Sequence, residues 1–209
     1  TPPAPDPTAA DYARTGLRRG LALEAQLGTN PYKFGMIGSS DSHTGMSAVE
    51  ERGFAGKSYH DAFPATRSEP SGLGAAKGWD MGAAGFVAAW ATENTRQGIY
   101  EAFRRKEVYA STGPRITLRF FGGFEFDKTD LRAKDLAAHG YRKGVPMGGD
   151  LVGRADRRAP TFLVAALKDP QCANLDRIQV VKGWLEPDGT TRERVYDVAV
   201  SGDRRIGPD

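Results

Sequence analysis

Cysteine is almost absent from this chain, with Cys172 the only one in 209 residues. A single thiol excludes an internal disulfide and any zinc module built from several cysteines. Histidine is scarce as well: there are three, and no His-x-His pair occurs. No apolar run approaches the roughly 20 residues that a membrane-spanning helix needs. These absences exclude disulfide scaffolds, cysteine-rich zinc modules and a membrane span.

An excess of one charge sign is also lacking. The 29 basic residues are interleaved with 26 acidic ones, and the net charge is only +3. No known nucleic-acid motif accompanies the basic pairs, so we expect a solvated surface and no nucleic-acid partner. The composition, 39% hydrophobic and 26% charged, is that of a globular chain that can bury a core.

The N-terminus lacks the charged-then-apolar layout of a signal peptide. The chain begins Thr-Pro-Pro-Ala-Pro-Asp-Pro without a methionine and ends Gly-Pro-Asp. We expect both ends to be cuts through a longer protein. The sequence does not indicate the cellular compartment, because any export signal would then lie upstream of Thr1.

The most informative segment reads Phe-Gly-Met-Ile-Gly-Ser-Ser-Asp-Ser-His-Thr-Gly, residues 34–45. Its apolar start predicts a buried strand that ends in Asp41 and His43, whose side chains project to the same side in extended backbone. A carboxylate and an imidazole delivered together suit a divalent ion such as zinc, manganese or iron. The small Ser40 and its neighbours would let substrate or a second ion approach. A turn cap for Asp41 and a structural imidazole for His43 are the alternatives.

Residues 46–85 follow without hydrophobic periodicity, rich in glycine, serine, proline and alanine. So long an aperiodic stretch is typical of a functional or mobile loop, and we interpret it as a lid or rim over the Asp-x-His segment. His60 lies in it and is a candidate contact to metal or substrate; a solvated side chain is the alternative. Arg115 follows a Ser-Thr-Gly turn whose backbone N–H groups could bind an anion, unless it is a plain turn into a strand.

Periodicity predicts helices and strands elsewhere. The predicted helices are Thr8–Leu27, capped by Thr8 and ended at Gly28, one starting after the N-cap Asn94, and a short one near Leu131–Ala138, with His139 at its end. The predicted strands are Ile116–Phe121, Thr161–Leu167, Arg177–Trp184 and Glu193–Val200, the last two joined by a Pro-Asp-Gly hairpin turn. The chain therefore changes from α/β to antiparallel β character between residues 123 and 160.

The segment Lys33-Phe-Gly-Met-Ile-Gly-Ser-Ser-Asp-Ser-His-Thr-Gly45 resembles the last metal motif of the PHP (polymerase and histidinol phosphatase) superfamily. More closely, the chain resembles the bacterial family called domain of unknown function 3604. Three further segments carry that resemblance: Glu93 to Ile116 with the following Arg-Phe-Phe-Gly-Gly, Gly144-Val-Pro-Met-Gly-Gly-Asp150, and Asn174 to Trp184. Together they touch most of the chain.

This resemblance implies a distorted (β/α)7 barrel with metal ions at the ends of its strands. The superfamily's His-x-His and other ligands are not recognisable here, so the chain looks like the C-terminal part. We expect residues 1–125 to form the C-terminal portion of the barrel and residues 126–209 a β-rich region. The remaining N-terminal part of the same protein would be a partner. Relatives are often exported.

The function hypothesis is a fragment of a metal-dependent hydrolase that acts on a small anionic substrate, a phosphoester, through a metal-activated water. Asp41 and His43 would be metal ligands, and Ser40, His60 and Arg115 substrate contacts. A serine nucleophile served by His43 is disfavoured, because no Gly-x-Ser-x-Gly elbow surrounds it. The alternative is a non-catalytic structural or ligand-binding fragment that completes or decorates a barrel located elsewhere.

Overall fold

The computed structural model describes residues 12–45, 53, 56–59, 62–66, 68–70, 77 and 85–203. The helices in these ranges are α1 (Ala13–Leu27), α2 (Arg96–Arg104) and α3 (Leu136–Lys143). The strands are β1 (Phe86–Ala89), β2 (Val108–Ser111), β3 (Thr117–Gly123), β4 (Val145–Pro146), β5 (Thr161–Leu167), β6 (Arg177–Leu185) and β7 (Thr191–Val200). Short 3-10 turns occur at Pro64–Thr66 and Lys128–Arg132.

Two compact units divide the chain. One comprises the described residues of Gly35–Cys172, and the other those of Pro2–Phe34 and Ala173–Asp209. The division into two domains, residues 1–125 and 126–209, that the sequence predicted stays a prediction.

Helix α1 and the β6–β7 hairpin make up the second unit. Gly28 ends α1 as predicted, in the left-handed conformation with φ +72°, and its N–H donates to the carbonyl of Glu24. The helix begins later than predicted, because Tyr12 has extended backbone. The predicted cap Thr8 lies outside the described residues. Arg14 and Arg18 of α1 both reach Glu193 on β7, at 3.4 and 3.5 Å.

Strands β6 and β7 pair antiparallel from Arg177↔Val200 to Leu185↔Thr191. The predicted hairpin is therefore confirmed. The turn contains Gly189, whose φ of +83° would be strained in a residue that carries a β-carbon. The carboxylate of Asp188 accepts a hydrogen bond from the N–H of Thr190 at 2.9 Å.

The first unit contains the β1–β2 pair, in which Phe86↔Ser111 and Ala89↔Val108 are the end partners. Helix α2 lies between the two strands in sequence. Its N-cap is Thr95, whose hydroxyl accepts from the N–H of Gly98 at 3.1 Å, and not the predicted Asn94. Both residue types can cap a helix, so the sequence pattern did not distinguish adjacent positions.

A three-stranded sheet, β4-β3-β5, also belongs to the first unit, and α3 packs on it. Its core consists of Phe121, Phe126 and Leu163, with Leu136 of α3 against them. Strand β3 pairs with β5 from Thr117↔Leu167 to Gly123↔Thr161, which confirms the predicted strand over 161–167. The short helix predicted near 131–138 is instead a 3-10 turn followed by α3, which places His139 inside the helix.

All strand pairs in the described ranges are antiparallel, and no closed barrel occurs among these residues. The protein therefore has a mixed α/β fold whose C-terminal part is β-rich, as predicted. Residues 33–43 form no strand, although they were predicted to contain one. A strand needs a hydrogen-bonded neighbour, and this segment has no ladder partner within the part of the chain described. No helix in those ranges is long and apolar enough to cross a membrane.

Gly140 permits the close approach of α3 to β3. A β-carbon at this position would lie 2.5 Å from ring atoms of Phe121, far inside contact distance. We expect Gly140→Ala to lower the free energy of unfolding by about 1–3 kcal/mol, the cost of overpacking, although alanine is the better helix former. Urea denaturation measures the change.

Gly16 in α1 provides the matched control. The nearest atom to its β-carbon position is 3.9 Å away, in the ring of Phe34. Gly16→Ala should therefore follow helix propensity and stabilise the chain by up to about 1 kcal/mol. Equal effects of the two substitutions would contradict the packing that the structure shows.

Candidate functional site

The predicted pair Asp41 and His43 is in contact. Nε2 of His43 lies 3.2 Å from Oδ1 of Asp41, which is hydrogen-bond distance. Asp41 has a positive φ of 53°, a conformation that aspartate tolerates better than most residues. The carboxylate and the imidazole thus meet in the irregular segment 41–45, the Asp-x-His turn, and not at the end of a strand.

Close packing of the preceding segment on the β1–β2 pair positions this turn. The β-carbon position of Gly35 is 3.4 Å from the side chain of Val108, and that of Gly38 is 3.1 Å from the carbonyl oxygen of Ser111. The segment therefore runs along β2 toward its Ser111 end. The carbonyl oxygen of Phe86 would lie only 2.7 Å from a β-carbon at Gly38, so glycine is required there. Asp41 follows three residues later.

A second segment, Gly56–Lys57, holds the turn from the other side. The backbone N–H of His43 donates to the carbonyl of Lys57 at 2.6 Å, and the hydroxyl of Ser42 donates to the carbonyl of Gly56 at 3.4 Å. Nζ of Lys57 also lies 2.9 Å from Oδ2 of Asp41. This part of the aperiodic stretch 46–85 thus lies beside the Asp-x-His turn, where a lid or rim was predicted.

The electrostatics favour the ionised carboxylate. Hydrogen bonds from Lys57 and then His43 hold the pKa of Asp41 below its usual value. Both members of the pair are well exposed, with 64% of the Asp41 side chain and 65% of the His43 side chain accessible. Ligands from solvent can therefore reach them.

The pair has the spacing of two ligands of one metal ion. Two atoms that each lie about 2.0–2.2 Å from a metal are roughly 3.0–3.5 Å apart, and the Asp41 and His43 atoms are 3.2 Å apart. The Lys57 ammonium on the second carboxylate oxygen shows that this oxygen accepts a cation. No group of three or more Asp, Glu, His or Cys side chains that could hold a metal ion occurs in the described ranges. The residues thus fit two corners of a site.

The other predicted site residues are distributed differently. Ser40 is next to the pair, and its hydroxyl accepts from the N–H of Ser42 at 3.3 Å, so it stabilises the turn. The backbone N–H of Arg115 donates to Oδ2 of Asp169 at 2.8 Å. In the turn before Arg115, the N–H of Gly113 donates to the hydroxyl of Ser111 at 3.3 Å, so it is used within the protein. His60 lies outside the described residues.

A comparison with protein families gives a match over residues 2–209 to the family described as "Protein of unknown function (DUF3604)". The chain belongs to the DUF3604 family. No match was found among curated proteins or among solved structures. The family part of the predicted resemblance is confirmed, and the resemblance to the PHP superfamily stays a prediction.

The sequence did not predict one residue that contacts Asp41 in this DUF3604 protein. Lys57 is 16 positions after Asp41, inside a stretch without periodicity, and a lone lysine in such a stretch carries no signal. Only the fold of the chain back onto the Asp-x-His turn shows that it pairs with Asp41.

Proposed function

We propose that Asp41 and His43 are two ligands of a divalent metal ion, zinc, manganese or iron, in a PHP-like hydrolase that acts on phosphoesters. The observation that carries the proposal is the 3.2 Å approach of Oδ1 and Nε2 in an exposed turn, with a cation on the second carboxylate oxygen. Carboxylate and imidazole together favour these metals over magnesium and calcium, which prefer oxygen ligands.

The residues of this chain have definable tasks in such a site. Asp41 supplies a carboxylate that is already ionised, because its pKa lies below the usual value. The hydrogen bond from the backbone N–H of His43 to the carbonyl of Lys57 holds the backbone that carries the imidazole in place. A bound metal would supply a water of lowered pKa, and so hydroxide at neutral pH. Lys57, close by, would then be available to an anionic substrate.

The remaining ligands would come from an N-terminal part of the same protein. The residues described here contribute two ligands, whereas a catalytic site of this class needs more. Residues 33–43 have no ladder partner in the ranges described, so a neighbouring strand from the rest of the protein could still pair with their apolar part. On this proposal the isolated chain binds metal weakly and does not turn over substrate.

The decisive test is metal binding by variants of this chain and of a longer natural chain that includes the preceding residues. Asp41→Ala and His43→Ala should each remove bound manganese or zinc, measured by elemental analysis and calorimetry. Loss of a direct ligand should weaken binding by more than the roughly 10- to 100-fold that is lost when a residue hydrogen-bonded to a ligand is replaced. Hydrolysis of a generic phosphodiester should appear only in the longer chain and disappear in both variants.

Asp156→Ala is the matched control, because this exposed carboxylate also pairs with a basic side chain, Arg154, at 3.2 Å. It should leave metal binding unchanged. Lys57→Met removes the competing ammonium from Asp41 and should raise metal affinity by a small factor, since exposed ion pairs are weak. Unchanged metal content in both Asp41→Ala and His43→Ala would refute the proposal.

The second candidate function is a non-catalytic binding or structural fragment. It is favoured by the ion pair between Asp41 and Lys57, which satisfies the carboxylate without a metal. On this account Lys57→Met would destabilise the turn and would not raise metal affinity. The same titration therefore separates the two functions.

A further inference from the structure

A second site lies at the opposite end of the β1–β2 pair from Asp41. The Asp-x-His turn lies beyond the Phe86↔Ser111 end, whereas Trp90 and Glu107 adjoin the Ala89↔Val108 end. Here an open pocket of about 550 Å³ is lined by the residues that follow β1, by the link between α2 and β2, and by one residue each of β3, α3 and β4. That volume suits a small organic molecule.

Glu107 lies at the base of this pocket, and only 4% of it is exposed. Nε of Arg105 donates to its Oε1 at 2.6 Å, and the hydroxyl of Tyr141 donates to its Oε2. Burial and this bond raise the pKa of Tyr141, so the phenol stays protonated at neutral pH. The negative charge of Glu107 is thus matched by Arg105.

The positive charge of Arg119 is not balanced in this way by a carboxylate among the described residues. Its guanidinium carbon lies 3.2 Å from the ring centroid of Trp90, and its Nη1 donates to the hydroxyl of Tyr141 at 3.2 Å. No carboxylate pairs with Arg119 in the part of the chain that the structure describes. A guanidinium carries five N–H donors, so most of the donors of Arg119 are available to a ligand.

The stacked geometry is rigid. Nε1 of Trp90 donates to the carbonyl of Leu118 at 3.0 Å, and the backbone N–H of Trp90 donates to the carbonyl of Glu107 at 2.9 Å. The indole therefore forms a fixed platform under Arg119. Because the guanidinium is held before binding, less conformational entropy is lost when a ligand binds.

We propose that this pocket binds a small organic carboxylate, with Arg119 as its anchor and the Trp90 and Tyr141 rings beside its apolar body. Arg105, Glu107 and Arg119 together carry one net positive charge, which one carboxylate neutralises. The planar guanidinium fork matches a carboxylate through two parallel hydrogen bonds. The site is separate from the Asp41–His43 turn and does not depend on the proposed metal.

Titration with benzoate tests the proposal, followed by calorimetry and by the NMR signal of the Trp90 indole N–H. Benzoate should bind saturably and shift that signal, whereas benzyl alcohol, which has the ring but no charge, should not. Arg119→Gln should weaken benzoate binding about 10- to 100-fold, the value of hydrogen bonds to a charged group. Arg119→Lys should restore part of the affinity, because it keeps the charge but not the fork.

Arg154→Gln is the matched control. Arg154 also lies over an aromatic ring, that of Phe124 at 5.7 Å, but it is paired with Glu125 and Asp156. Its substitution should leave benzoate binding unchanged. If Arg119→Gln fails to fold, Arg119→Lys decides the question. The proposal is overturned if benzoate does not bind the native chain, if Arg119→Gln binds benzoate as tightly as the native chain does, or if inorganic phosphate binds more tightly than benzoate.

Discussion

Phe121→Ala should lower the free energy of unfolding by about 3–5 kcal/mol, the usual cost of removing a buried phenylalanine. Phe121 is 1% exposed and is the centre of the core formed with Phe126 and Leu163. Its ring also meets that of Tyr141 edge-on, with centroids 5.2 Å apart. The cavity cannot collapse easily, because the β3–β5 ladder holds its walls.

Urea denaturation gives the loss of stability, and amide hydrogen exchange in β3 and β5 shows whether it arises in this unit. Leu131→Ala is the control, because Leu131 is 62% exposed. It should change stability by about 0.5 kcal/mol or less. Similar losses for both substitutions would show that the core lies elsewhere.

Asp130→Asn should destabilise the protein at neutral pH and remove part of its sensitivity to acid. Asp130 is 4% exposed, and Nζ of Lys143 lies 2.8 Å from each of its carboxylate oxygens. The backbone N–H of Asp127 donates to Oδ2 at 2.7 Å, and His139 contacts Oδ1. These contacts, with Lys143 the largest, hold the pKa of Asp130 far below its usual value.

The direction of the pH effect follows from that lowered pKa. Below about pH 4 the unfolded carboxylate binds protons while the folded one does not, so acid favours unfolding. The contribution of Asp130 is therefore present above about pH 4 and is lost as the pH falls further. Asparagine cannot titrate, so the stability difference between the native chain and Asp130→Asn should shrink from pH 4 toward pH 2.

Urea midpoints at a series of pH values measure this difference. Other carboxylates with lowered pKa values that do not contact Asp130, such as Asp156 and Asp169, affect both proteins and cancel in the comparison. Glu125→Gln is the control, since Glu125 is an exposed partner of Arg158 at 2.9 Å. It should have a small effect at every pH. A constant gap between the native chain and Asp130→Asn would contradict the role assigned to Asp130.

Local patterns in the sequence predicted much of the secondary structure. The strand over 161–167, the β6–β7 hairpin and the end of α1 at Gly28 are in place because alternation and turn residues act over a few positions. The predictions that failed were boundaries and partners. Thr95 rather than Asn94 caps α2, and residues 33–43 have no ladder in the described ranges, which local preference could not decide.

For the candidate sites too, short-range features were predicted from the sequence and long-range contacts were not. The sequence predicted that the side chains of Asp41 and His43 lie on the same side of a strand end, and the two are in contact, but through a positive φ at Asp41 and without a strand. The metal role of this pair remains a prediction. The sequence did not predict the proposed carboxylate pocket, because its contacts join residues far apart in the chain: Tyr141 reaches Glu107 across 34 positions and Arg119 across 22.

The sequence by itself determined the family, the antiparallel C-terminal strands and the Asp-x-His pair, all of which depend on neighbours in the chain. Only the tertiary structure decided that Lys57 pairs with Asp41 and that Arg119 stacks on Trp90 without a carboxylate partner in the described ranges. The physical reason is distance along the chain. Ion pairs and stacked rings form between residues that the fold brings together, and no periodicity records such contacts.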